Sequence, residues 1–292
     1  MLIWLNGNIL PAEEARISPF DRGFLFGDGV YEVVPWFNRL PVGADLHARR
    51  LCQSLAALGF DERAAPDMNA IGAALFDAAE VENGLVYVQV TRGTEIPRRH
   101  LPAADLEPTV FAFLTPLPAL SAMQVNPIRA LTRPDQRWQM CWTKSTNLLG
   151  NILPLMQAAR ELDSPCEVIL CRDGCVSEGA MTNVIAVLGD GSIVTPPTAG
   201  NPPILPGVTR ALLLEAARDA QYNVREQAIS LDELRQAREL MVTSSRRLID
   251  AVVELDGVRV GDGKCGQITL QLFELLRERI AAASSSRVQS AR

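Results

Sequence analysis

The sequence predicts a mixed α/β protein of the α+β kind, divided into two domains. Three observations carry this. Short apolar runs of period two alternate with longer segments of helical period along nearly the whole chain. Thr115-Pro116-Leu117-Pro118 interrupts that alternation as a stiff, proline-rich link. With 292 residues, 48% hydrophobic and 21% charged, the chain can fill two modest cores. The expected division is a smaller N-terminal α/β domain over 1–120, a larger C-terminal domain over 121–282, and a tail over 283–292 too poor in apolar residues to pack.

Composition excludes several classes of function. A net charge of -6 leaves no basic stripe to displace phosphate counterions, so nucleic acid is not an expected partner and a small molecule is. The six cysteines, at 52, 141, 166, 171, 175 and 265, have neither metal-site spacing nor the density of a disulfide scaffold, and no metal is expected. They read as thiols of a reducing compartment. No apolar run of about 18 residues occurs, and the N-terminus lacks a charged segment followed by an apolar one. A cytoplasmic protein with no membrane association is expected.

In the first half, residues 3–5 and the Asn6-Gly7 turn into Ile9 predict a hairpin. The segment 21–34 is punctuated by glycine and then becomes strand-like, which puts Tyr31 and Val33 on one face as a candidate pocket wall. Leu46, Leu51, Leu55 and Leu58 predict a helix over 45–58, capped by Asp45, ended by Gly59 and carrying Arg49 and Arg50. A second helix is expected over 67–80 and strands over 85–91 and 110–114. Between those strands lies Arg98-Arg99-His100. Arg98 and His100, two apart in an extended loop, can point the same way and hold one carboxylate.

The second half opens with an expected strand at 123–125, passes Arg137-Trp138, and reaches Lys144 on a strand-like approach to a helix that follows Asn147 and ends near residue 163. The chain has only two lysines, Lys144 and Lys264. An arginine holds an anion as well as a lysine does, but only a lysine can shed its proton near neutral pH and condense with an aldehyde. Lys144 is therefore the candidate reactive group. Strand pairs turn at Asp173-Gly174 and Gly189-Asp190-Gly191, the first leading to Glu178. A helix after Gly207 offers the amides of Val208 and Thr209 to an anion. Ser230-Leu231-Asp232-Glu233 forms a capping box, and a strand over 240–243 ends at the hydroxyls of Ser244 and Ser245. A hairpin about Asp256-Gly257 and a helix over 267–281 complete the pattern.

Phosphate donors at Arg50, Val208, Thr209, Ser244 and Ser245, one lysine for an aldehyde, and a glutamate after a strand make up the requirements of pyridoxal 5'-phosphate. Over about 2–282 the chain resembles the fold-type IV aminotransferases. The motifs are Phe26-Gly27-Asp28-Gly29-Val30-Tyr31-Glu32, Arg50-Leu51, Lys144-Ser145-Thr146-Asn147-Leu148-Leu149-Gly150-Asn151, Ser177-Glu178-Gly179 with Asn183, and Leu205-Pro206-Gly207-Val208-Thr209-Arg210.

The resemblance implies a two-domain fold with the cofactor between the domains. It implies Lys144 as Schiff-base lysine and proton carrier, Glu178 as partner of the pyridine nitrogen, and a phosphate site at Arg50, Val208, Thr209, Ser244 and Ser245. Tyr31 with Arg98 and His100 is similar to the carboxylate trap of D-amino acid aminotransferases, the Arg-x-His loop reaching in from a neighbouring subunit. A homodimer sharing its active sites, and ping-pong transfer from a D-amino acid such as D-alanine to 2-oxoglutarate, are then expected. The chain departs from the family in having Arg246-Arg247 after Ser245; one of these, or Arg99, would favour a dicarboxylate, unless they face solvent or pair with Asp250. A branched-chain L-amino acid aminotransferase and a 4-amino-4-deoxychorismate lyase share the scaffold and are the alternatives.

Overall fold

The computed structural model describes residues 1–162, 164, 166–200 and 203–290, the side chains of 284–290 excepted. The chain divides into two compact units, Met1–Leu120 with Thr143–Asn147, and Ser121–Trp142 with Leu148–Arg292.

The first unit is built on a six-stranded antiparallel sheet. Its strands are β1 (Leu2–Leu5), β2 (Asn8–Pro11), β3 (Gly29–Phe37), β4 (Leu40–Pro41), β5 (Gly84–Thr91) and β6 (Thr109–Pro116), in the order β2-β1-β6-β5-β3-β4. Asn6 and Gly7 both take positive φ, as the two-residue hairpin between β1 and β2 requires. One sheet face carries Val30, Val34, Val86, Val88 and Val90. These bury against α2 (Ala44–Ala57) and α3 (Met68–Ala78) through Leu51, Leu55, Ile71 and Leu75. Helix α3 is capped by Asp67, which accepts from the amides of Asn69 and Ala70. Helix α2 begins otherwise than expected. Its N-cap is Gly43 in the left-handed region, and Asp45 sits in the first turn, where its charge faces the helix dipole. The glycine-punctuated segment also holds a helix that its sequence does not suggest, α1 (Arg22–Phe26), between the Asp21 cap and a left-handed Gly27.

The second unit is built on a nine-stranded mixed sheet. Its elements are β7 (Asn126–Pro134), α4 (Leu149–Leu162), β8 (Cys166–Arg172), β9 (Cys175–Gly179), β10 (Asn183–Val187), β11 (Ile193–Thr195), α5 (Val208–Asp219), β12 (Val224–Glu226), α6 (Leu231–Arg235), β13 (Glu239–Ser244), β14 (Leu248–Leu255), β15 (Val258–Arg259) and α7 (Gln267–Ser290). The order is β12-β11-β10-β13-β14-β7-β8-β9, with β15 paired to β14. The capping box at Ser230 and Glu233 starts α6 as expected. The strand expected at 123–125 begins later, at Asn126, which sits opposite Asp250 and donates to its carboxylate at 3.1 Å. Helix α7 runs to Ser290, past the end that composition suggests near 281. The tail lacks an apolar stripe, but it contains no glycine or proline, and its Ser, Ala, Arg and Gln carry no helix penalty as large as either, so lack of packing surface does not stop the helix from continuing. Residues 291–292, and residue 163 at the expected end of α4, lie outside the described residues.

Candidate active site

Lys144 lies in a loop, not on a strand, and that loop belongs to the first unit. Its sequence neighbourhood suggests the second half instead, because the helix that follows is there. Hydrogen bonds between segments distant in sequence decide otherwise. The Tyr31 amide donates to the Lys144 carbonyl at 2.9 Å, the Thr146 amide to Gly29 at 3.0 Å, and the Lys144 amide to Ser54 Oγ at 3.0 Å. Asn147 Nδ2 donates to the Gly27 carbonyl at 3.1 Å. A Cβ at Gly27 would come within 2.2 Å of Asn147 Oδ1, and Gly27 has a φ of 66°, so that approach needs glycine. Lys144 Nζ stands 4.3 Å from the centroid of the Tyr31 ring, a cation–π contact that holds the amine over β3.

Tyr31 is buried and stacks on Tyr87 across the sheet; Val33 follows on the same face, half-buried and opposite Tyr87. The opposite face carries Glu32, fully buried among valines. Its carboxylate accepts from Arg50 Nε and Nη2, both at 2.7 Å, and lies 2.7 Å from His47 Nδ1. Burial pushes the Glu32 carboxyl up, but Arg50 and then His47 outweigh it and hold the group well below the usual carboxylate range. His47 is pushed down, chiefly by its own burial against the pull of Glu32, with Arg50 and Lys144 adding to the fall. His47, Arg50 and Ser54 share one face of α2 at helical spacing, so this helix braces both β3 and the lysine loop. Sequence reasoning misses Glu32 and His47. The available signal is a charged residue inside the otherwise apolar run of β3.

Arg98, Arg99 and His100 are exposed. The Arg98 guanidinium lies 4.4 Å from the Phe26 ring centroid, and the His100 and Phe26 rings are 5.9 Å apart.

In the second unit Glu178 lies one residue before the end of β9, buried. Its Oε1 accepts from Arg137 Nη1 at 2.8 Å; its Oε2 accepts from the Leu205 amide at 3.1 Å and Asn183 Nδ2 at 3.3 Å. Burial pushes the Glu178 carboxyl up, and Arg137 only partly offsets it. Arg137 is fixed in turn by Asp135, which accepts from its Nε and Nη2 at 3.0 Å each. Asp135 sits below the usual carboxylate range because, against its burial, Arg137 neutralises it. Sequence reasoning gives Arg137 and Asp135 no role, though an Asp-x-Arg pair shortly before Lys144 is a visible signal.

Asn183 joins the rest of this cluster. It donates also to the Leu205 carbonyl at 2.9 Å, sits opposite Thr243 in the β10–β13 pair, and packs on Gly207, where a Cβ would fall 1.9 Å from its Oδ1. Gly207 is the N-cap of α5 and has no side chain to accept the amides of Val208 and Thr209. Ser244 closes β13, its Oγ accepting from the Arg247 amide at 3.3 Å, and Ser245 follows, half-buried. Glu178, Leu205 and the Gly207 start of α5 thus meet at one asparagine, and the strand opposite it runs on to Ser244. Arg247 pairs with Asp250 at 2.8 Å, while Arg246 is exposed.

The class IV aminotransferase family model matches residues 29–255. The chain belongs to the class IV aminotransferases. Among relatives of this aminotransferase is the D-alanine aminotransferase of Bacillus licheniformis, 35% identical over 289 residues, 99% of this chain and 100% of the relative. The aminotransferase fold is also that of a hypothetical aminotransferase from Mycobacterium tuberculosis in its PLP-bound form, with a TM-score of 0.80 at 24% identity, covering 97% of this chain and 100% of that one. A branched-chain aminotransferase from Thermoproteus uzoniensis with norvaline has a TM-score of 0.82 at 23% identity, covering 95% and 93%. Among the described residues of this class IV aminotransferase, no cluster of metal-binding side chains occurs and no helix is long and apolar enough to cross a membrane.

Proposed function

We propose that this chain is a pyridoxal-phosphate-dependent transaminase that takes the amino group of a D-amino acid such as D-alanine and passes it to 2-oxoglutarate in a ping-pong cycle. The observation that carries this is the 35% identity, over 99% of the chain, to a D-alanine aminotransferase.

The donor set fits the cofactor. Each unit supplies groups of the right chemistry, an amine at Lys144 and a guanidinium at Arg50 from the first, a buried carboxylate and an uncapped helix N-terminus from the second. When bound, the cofactor supplies an aldehyde for the amine and a cationic ring that withdraws electrons from the substrate Cα. Lys144 would hold that aldehyde and, once displaced from it by the substrate amine, would carry a proton between the substrate Cα and the cofactor's C4′. Glu178 holds the ring nitrogen. Arg137 opposes the effect of burial on it, and a cation at the ring nitrogen would favour its ionised form further. Arg50, the amides of Val208 and Thr209, and the hydroxyls of Ser244 and Ser245 bind the phosphate.

Tyr31 and Val33 wall the substrate site. Arg98 and His100 hold the α-carboxylate in the site of a second copy, making the active unit a homodimer; their exposure, beside the exposed apolar Phe24, Ile96 and Leu101, supports that role. Fixing the carboxylate on one side presents Cα–H to Lys144 in one enantiomer only. The place of action is the cytoplasm.

A donor screen tests the reading. With 2-oxoglutarate as acceptor, D-alanine should give pyruvate and D-glutamate while L-leucine and L-alanine give no turnover. L-leucine as the better donor, or pyruvate release with no acceptor present, would overturn it.

A further inference from the structure

Helix α1 is five residues long and buries one charge. Arg22, 4% exposed, spreads its guanidinium over two carboxylates and two carbonyls. Nε donates to Asp28 at 2.9 Å, Nη1 to Glu95 at 2.8 Å and to the Arg99 carbonyl at 2.7 Å, and Nη2 to the His100 carbonyl at 3.0 Å. Glu95 is tied at its other oxygen to the Ala103 amide at 3.1 Å, and Asp28 at its side to Arg92 at 2.8 Å. These four acceptors fix Arg22 in place, and two of them are consecutive backbone carbonyls of the loop proposed to bind carboxylate.

One turn later on the same helix, Phe26 receives the two side chains of that loop. Arg98 lies 4.4 Å and Arg22 4.8 Å from its ring centroid, and the His100 ring is 5.9 Å away. A long exposed arginine loses rotamer freedom when it grips a ligand, and a side chain already held on an aromatic face loses less.

We propose that Arg22 and Phe26 are positioning residues for carboxylate recognition, Arg22 fixing the loop backbone at Arg99 and His100 while Phe26 presents the Arg98 and His100 side chains together. The proposal rests on the reading of Arg98 and His100 given above. A lysine at 22 keeps the charge but lacks the planar fork that reaches both carbonyls, so substitution should weaken substrate capture without disturbing the chemistry at Lys144.

The experiment compares holoenzymes R22K, E95Q, F26L and F26Y with the double variant R98A/H100A. In R22K and E95Q the KM for D-alanine and for 2-oxoglutarate should rise about 10-fold, with kcat within about 2-fold and cofactor absorbance unchanged. Trypsin should cut after Arg98 and Arg99 faster than in the parent. F26L should show the same KM shift and F26Y should restore it. E95Q loosens the same clamp while leaving Arg22 in place, and so tests it if R22K does not fold. If R98A/H100A raises KM while R22K and E95Q leave KM and cleavage unchanged, the clamp is refuted and the carboxylate-loop reading stands. If R98A/H100A itself leaves KM unchanged, that reading falls and the clamp with it. A loss of kcat or of melting temperature without a KM shift marks Arg22 as structural and overturns the proposal.

Discussion

Replacing Arg137 by methionine removes the guanidinium that meets Glu178 and leaves a carboxylate in a site that burial already disfavours. Both side chains are almost wholly enclosed, 7% and 4% exposed, so solvent screening offers little relief. Removing one partner of such a pair costs about 3–5 kcal/mol. In a chain of this size that lowers the melting temperature by roughly 6–10 °C. The loss also has a pH signature. Glu178 has a folded-state pKa above its unfolded value, so its ionisation opposes folding as pH rises through that window. Without Arg137 the folded value climbs further, and Asp135 loses its main partner in the same direction, so the deficit of R137M should grow from pH 5 to pH 8. Adding E178Q should recover part of it. Thermal melts of the cofactor-free protein across that range measure all three effects. A melting temperature within about 1 °C of the parent, or a double variant no more stable than R137M, would refute the coupling.

Glu32→Gln should cost about 3 kcal/mol at neutral pH, because it strips a buried carboxylate from Arg50 and His47. The folded pKa of Glu32 is depressed, so the parent's advantage is fully present at neutral pH, begins to fall only below about 4.5 and is gone only well below that; the melts of parent and variant should draw together progressively as pH drops through that acid range. Gly207→Ala drives a Cβ into Asn183 and displaces the start of α5, and a cofactor titration should show affinity reduced about 10-fold or more. Lys144→Ala should lower transamination at least about 10³-fold, read by D-glutamate formation, while leaving the fold intact by circular dichroism.

Much of the fold is legible in the sequence because its signals are local. Asn6-Gly7, Asp173-Gly174 and Asp256-Gly257 announce hairpins through positive φ, and all three pairs adopt it. Lys144 stands out by scarcity, and Glu178 as the acid near the end of a strand that a tight turn announces. What cannot be read depends on partners distant in sequence. Glu32 looks like an error in a core strand until His47 and Arg50 arrive on α2, and Arg22 looks like a loop charge until Glu95 and the carbonyls of Arg99 and His100 close around it. The placement of Lys144 likewise turns on long-range hydrogen bonds that tie its loop to Gly29, Tyr31 and Ser54, which no pattern within 140–150 encodes. Arg246 and Arg247, together a notable departure by sequence, part company in space. Arg247 pairs with Asp250, as the local spacing allows, and Arg246 is exposed.

Because the chain has only two lysines, the claim that Lys144 carries the cofactor has a direct chemical test. Borohydride reduction of the loaded protein, digestion and mass spectrometry should find the cofactor mass on the peptide containing Lys144 and none on that containing Lys264. The label should disappear when D-alanine is added before reduction and persist when L-alanine is. Label on Lys264, or release by L-alanine but not D-alanine, would contradict the assignment of the lysine or of the substrate's handedness.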